Sequence, residues 1–255
     1  MFRSPDQAIV FLHIPKTGGS SIAKAVGRRY RGSRYHVKAA ESRHAAARTH
    51  DINAPGFEER MQGLRSDLLL YAAESGTRYL TGHVWYTSGI RSLQKDGYPV
   101  LTCLRDPVDR FISNFLYNRF KATPHMRTSL DIDSYLSSPE ARSQAATYVR
   151  YLTGGCADRV YETEAAVKQA KAAIHELDGV GFLDDISPFA EQIEALVGAR
   201  IKIPHERQNP APDRYARDIK NSSEIRDRVS EMCAYDIELY RYARALRPSV
   251  AAGES

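Results

Sequence analysis

Ala8 to His13 reads AIVFLH, a short apolar run without polar alternation, the pattern of a strand buried on both faces of a parallel sheet. Arg78 to Gly82 and Pro99 to Leu104 are two more such runs, the second rich in strand formers. Gly179 to Leu183 is a fourth, and Arg200 to Ile203 a shorter fifth. Between these runs the apolar positions take helical spacing. Helices are predicted over Ser20 to Arg29, Thr163 to Leu177 and Ser187 to Val197, with one long terminal helix over Ser222 to Arg247. Val37 to Gly76 reads as helical in patches, interrupted by the breaker cluster Asn53-Ala54-Pro55-Gly56. Asp106-Pro107-Val108-Asp109 is a helix start: Asp106 can cap, Pro107 takes the first helical position, and Asp109 suits the dipole. Phe111, Ile112, Phe115 and Leu116 follow at the spacing of a core-facing stripe.

Strands alternating with helices predict a three-layer α/β fold, P-loop-like, with a central mostly parallel sheet flanked by helices. The expected organisation is a single domain over residues 1–247, with residues 248–255 as a disordered tail. At 255 residues and 42% hydrophobic, the chain can bury a sizeable core. No apolar run approaches the roughly 20 residues of a membrane span, and the N-terminal run reads as a strand rather than a signal peptide. Cys103, Cys156 and Cys233 are far apart and in no metal-ligand spacing, which fits a reducing compartment.

Net charge is +5, with an isoelectric point near 9.0, so an anionic ligand is favoured: nucleotide, acidic glycan or nucleic acid. Lys24, Arg28, Arg29, Arg31, Arg34, Lys38, Arg43 and Arg48 face only Glu41 over that stretch. A solvated basic face explains them as well as a binding surface does.

The segment His13-Ile14-Pro15-Lys16-Thr17-Gly18-Gly19-Ser20-Ser21 lies between a predicted strand and a predicted helix. There the first N–H groups of the helix are unpaired and its dipole end is positive, so a phosphate can be wrapped by backbone. Gly18 and Gly19 allow close approach and positive φ. Thr17, Ser20 and Ser21 carry hydroxyls, and Lys16 is a mobile cation. The nucleotide-kinase loop has its lysine after the glycines with a hydroxyl for magnesium; here the lysine precedes them. A plain structural turn is the alternative.

Arg105 leaves a predicted parallel strand at its carboxyl end, where α/β folds bind ligands, and its planar fork suits phosphate. Ser113, two helical turns along, adds a hydroxyl. The alternative is that Arg105 pairs with a carboxylate and Ser113 faces solvent. Arg110 and Arg119 either add positive potential or, for Arg110, pair with Asp106 or Asp109. His83 follows a predicted strand in Gly82-His83-Val84-Trp85-Tyr86 and is a candidate general base, or else a structural histidine. His13 more simply packs behind the loop. Trp85 and Tyr86 either stack on a ring or fill core.

HIPKTGGSS resembles the 5'-phosphosulfate loop of sulfotransferases that use 3'-phosphoadenosine 5'-phosphosulfate (PAPS), in particular the carbohydrate branch that includes uronyl and heparan sulfate 2-O-sulfotransferases. RDPVDRFISNFLYNRF resembles that family's 3'-phosphate segment, and the Gly82-His83 segment resembles the one carrying its base. The resemblance runs from about Ile9 to Arg244 but leaves Arg31 to Gly76 unmatched. It implies PAPS as donor and PAP as product, with Lys16, Thr17, Gly18, Gly19, Ser20 and Ser21 on the 5' end and Arg105 with Ser113 on the 3'-phosphate. It further implies His83 and Lys16 as catalytic groups, the lysine neutralising the bridging oxygen, and no metal. The acceptor it implies is a hydroxylated saccharide or glycoconjugate, with no nucleic acid and no membrane span. Without the signal anchor and disulfides of Golgi-resident relatives, a cytoplasmic, bacterial-type member is expected. His205, Arg207 and Asn209 lie in a further family-like segment, and Asn118, Arg119 and His125 would suit an acidic acceptor. The rivals are a P-loop nucleotide or small-molecule kinase, a nucleic-acid binder using Lys24 to Arg48, and a sulfotransferase-fold protein that binds nucleotide without turnover.

Overall fold

A computed structural model describes residues 5–123, 125–155, 161–204 and 210–246. Five strands form one all-parallel sheet in the order β2-β3-β1-β4-β5. They are β1 (Ile9–Leu12), β2 (Arg34–Val37), β3 (Tyr79–Gly82), β4 (Val100–Leu104) and β5 (Gly179–Phe182). Every residue of β1, β3 and β4 is buried, as expected for strands covered on both faces. The pleat divides them between layers. Val10, Leu12, Leu80, Val100 and Leu104 face one core, while Ile9, Phe11, Tyr79, Leu101 and Cys103 face the other. Buried threonines are satisfied within the sheet: Thr81 Oγ1 donates to Phe11 O at 2.8 Å and Thr102 Oγ1 to Leu12 O at 2.9 Å.

The first core lies under α3 (Phe57–Glu74), α4 (Ser88–Lys95), α8 (Thr147–Thr153) and α9 (Glu164–Glu176). The second lies under α1 (Gly19–Gly27) and α10 (Ser187–Val197). A third, all-helical cluster joins α5 (Pro107–Phe120) to α6 (Ile132–Leu136), α7 (Pro139–Ala145), α11 (Asp213–Asn221) and α12 (Ser223–Met232). The start of α5 is as the sequence predicts: Asp106 Oδ1 accepts from Asp109 N at 3.0 Å, with Pro107 at the first position.

Two expectations change, and one strand is additional. Ser222 to Arg247 is not one helix: α12 ends at Met232 and α13 (Ala234–Ala245) begins after Cys233. The two halves bury into different clusters, Val229 and Cys233 with α5 and Leu239 and Tyr240 against the sheet. Arg200 to Ile203 is not a strand, because side chains occupy its backbone groups. Glu194 accepts from Ile201 N at 2.7 Å, and Arg29 donates to Arg200 O. Val37 to Gly76 holds two helices, α2 (Ala39–Ala47) and α3, separated at the Asn53–Gly56 break as the sequence predicts; the additional strand is β2, which ends at Val37.

Candidate functional site

β3, β1 and β4 are adjacent and in register, Leu12 pairing with Gly82 on one side and Thr102 on the other. All three end on the same edge, so His83, the loop from His13 to Gly18, and Arg105 emerge side by side. With strands about 4.8 Å apart, His83 and Arg105 leave the sheet roughly 10 Å from each other. The connection from β1 runs towards β2 and that from β4 towards β5, which opens a crevice between their carboxyl ends.

The loop is closed from inside by Thr17, whose buried Oγ1 donates to Ile14 O at 2.9 Å. That hydroxyl proton is engaged, so Thr17 can offer an anion its backbone N–H rather than its side chain. Lys16 has φ +68°, an uncommon conformation for a residue with a Cβ and one that recurs at functional sites. Gly18 caps α1 at φ +78°, ψ 3°. At Gly19 an added Cβ would collide with the His13 imidazole, so this glycine lets His13 pack against the helix start. Ser20 is exposed on the first turn of α1, while Ser21 is buried.

Lys16 reaches across to α5, its Nζ 4.0 Å from the centroid of the Tyr117 ring. Lys121 Nζ lies 5.4 Å from the same centroid. Burial, then the positive charges of Arg105 and Lys121, bring the Lys16 ammonium down to about 8. Burial likewise lowers Lys121. Among the described residues no carboxylate pairs with Lys16, Arg105 or Lys121. Among the described residues, three cations therefore converge without a counter-charge. Ser113 is buried one turn before Tyr117 on the same face of α5. Arg105 is fixed through its main chain. Tyr148 Oη accepts from Arg105 N at 2.8 Å and donates to Arg105 O at 2.6 Å. Tyr148 is itself anchored, since the buried Asp236 carboxylate accepts from Tyr148 N and Val149 N at the start of α8.

His83 donates from Nδ1 to His13 O at 2.6 Å, because a carbonyl can only accept. Nε2 is then the unprotonated nitrogen. Burial and the nearby charges of Arg65 and His36 outweigh that hydrogen bond and hold His83 at about 4, so the ring is neutral at pH 7. The His13 ring packs tilted against that of His83, 4.3 Å between centroids, and is kept well below the usual histidine range by burial, His83, His36 and Lys16. Behind His83, Arg65 of α3 donates to His83 O at 2.8 Å, Ser42 Oγ at 2.9 Å and Ala39 O at 3.1 Å. The stretch that resembled nothing thus braces the candidate base.

Other expectations resolve differently. Trp85 and Tyr86 are core residues, 1% and 0% exposed, and have no face free to stack on a ligand. Arg110 is fully buried against Tyr148 and donates to Gln144 O instead of pairing with Asp106 or Asp109. Asp109 pairs with Arg226 at 2.9 Å. Arg119 lies over Phe120. Asn118 is buried, while His125 is exposed within reach of the charges of Arg43, Lys121, Arg65 and His44. His205, Arg207 and Asn209 lie outside the described residues. Sequence reasoning missed Tyr117, Lys121, Tyr148 and Arg65. Tyr117 and Lys121 carried a usable signal, the four-residue step from Ser113 along a predicted helix.

A strand-end cradle with converging cations beside a neutral histidine suits an anionic ligand and a proton transfer next to it. The chain belongs to the sulfotransferase family, whose family model matches residues 1–243. No curated protein matches it. It is accordingly a sulfotransferase, an enzyme that moves sulfuryl groups, and the kinase alternative is not favoured. No helix among the described residues is long and apolar enough to cross a membrane.

Proposed function

We propose that this enzyme moves the sulfuryl group of PAPS to a hydroxyl of a saccharide or glycoconjugate, with His83 as the base. The observation that carries the reading is the convergence of Lys16, Arg105 and Lys121, without a carboxylate partner among the described residues, on a strand-end crevice whose other side holds a neutral imidazole. Buried positive charge of this kind calls for a polyanion. The donor set fits one: backbone N–H groups of residues 17–21 and Lys16 for the 5' end, and Arg105 with Ser113 for the 3'-phosphate.

Bound PAPS supplies an activated sulfuryl group on a phosphate leaving group. His83 Nε2 takes the proton from the acceptor hydroxyl as its oxygen bonds to sulfur. Lys16 and the N-terminus of α1 meet the negative charge left on the phosphate oxygen as its bond to sulfur breaks. The saccharide acceptor rests on the resemblance of the Lys16 loop and Gly82-His83 to the carbohydrate branch, together with Arg65, whose charge acts on both His83 and His125, and with Arg43 near His125. Calorimetric titration with PAP and with ATP tests the donor, in wild type and Arg105→Ala. Tight PAP binding that Arg105→Ala weakens supports it; preference for ATP with magnesium, or indifference to Arg105, overturns it.

A further inference from the structure

Ser113 and Tyr117 lie one turn apart on α5, and Lys121, the C-cap residue just past Phe120, brings its ammonium back to the Tyr117 ring that also meets Lys16. Two ammonium groups share the Tyr117 ring, Lys16 Nζ at 4.0 Å and Lys121 Nζ at 5.4 Å from its centroid. Lys121 is only 9% exposed, yet it has neither an ion pair nor a side-chain hydrogen bond among the described residues. Its position at the end of α5 offers the negative end of a helix dipole, which is a small return for burying a charge next to a like charge. Structural need alone does not account for a lysine there.

We propose that Lys121 is a second donor-binding cation, which holds the sulfonate oxygens while Lys16 holds the bridging oxygen, the Tyr117 ring keeping both ammoniums in place. This rests on PAPS being the donor. A phosphosulfate end carries charge on two groups, and one lysine cannot lie against both. The pairing makes Lys121 specific for the group that is transferred, whereas Arg105 and Ser113 grip a phosphate that stays with the product.

That difference separates the inference from the reading beneath it. PAPS and PAP differ at the sulfonate, so both are titrated calorimetrically, without acceptor, into wild type, Lys121→Met and Lys121→Arg. Lys121→Met is expected to lose about tenfold in affinity for PAPS and less than about twofold for PAP, since a charge-assisted contact is lost in the first case alone. Lys121→Arg should recover most of the loss. Equal losses for both nucleotides, or no loss for either, overturn the role of Lys121 while leaving the donor reading intact. Failure of wild type to bind either nucleotide overturns both. Thermal midpoints of the three proteins are measured alongside, and a fall in Lys121→Met without the selective loss of PAPS assigns the residue to the helix end instead.

Discussion

His83 Nδ1 lies 2.6 Å from the carbonyl oxygen of His13, and this one bond decides which nitrogen of the ring is free to accept a proton. A side chain that cannot take up a proton at that point should therefore slow the chemistry without loosening the donor. His83→Gln and His83→Ala are expected to lower single-turnover sulfuryl transfer by about 10²–10⁴. PAP affinity should stay within about threefold of wild type, because the cations that set it are on the other strands. A rate loss below tenfold would place the base elsewhere.

The two shifted groups set a pH window. His83 sits at about 4 and, as the proposed base, is needed unprotonated, so activity should rise with pH through that value. Lys16 sits at about 8 and, in its proposed role, is needed protonated, so activity should fall as pH rises through that value. The profile of kcat/KM should be a plateau between these limbs. Lys16→Arg, which stays charged, should remove the alkaline limb even if it lowers the plateau. An unchanged limb in that variant would show that another group titrates there.

Tyr148 holds Arg105 by both of its backbone polar groups. Tyr148→Phe leaves the N–H and C=O without those partners and is expected to cost about 1–3 kcal/mol in urea unfolding. PAP affinity should fall by about fivefold or more as Arg105 loses its fixed origin. Arg105→Ala should weaken PAP binding without the loss of stability, so the pair of measurements separates gripping from bracing.

Two glycines in helices should respond in opposite directions. Gly63, inside α3, has nothing within 4 Å of where a Cβ would stand, so Gly63→Ala should stabilise by about 0.5–1 kcal/mol. Gly19→Ala gains the same helical preference but drives a methyl group into the ring of His13, the residue whose main-chain carbonyl accepts from His83. Destabilisation and slowed transfer are expected there. Chemical denaturation of both variants checks the signs.

The buried strands were legible because β1 and β4 are continuous apolar runs, and the α5 start because Asp106 and Pro107 mark it chemically. β2 was not, since it is an edge strand with Arg34 and His36 exposed, leaving no apolar run to detect. The break at Cys233 depends on which cluster each half of the helix enters, a tertiary fact with no local marker. The same holds for the site. Lys16, His83 and Arg105 follow the ends of buried strands, which made them candidates from sequence, whereas Lys121 and Arg65 become candidates only through what the fold brings to them.

Because β1 stands between β3 and β4, the two rims of the crevice belong to separate stretches of chain. Helices α2 and α3 pack on the β2–β3 rim, and Arg65 is the bolt by which they reach His83. The opposite rim, from β4 through α5, is tied down by Tyr148 and Asp236. A segment exchanged for residues 34–74 would therefore have to bring its own donor to the His83 carbonyl, or the imidazole would lose its outer support.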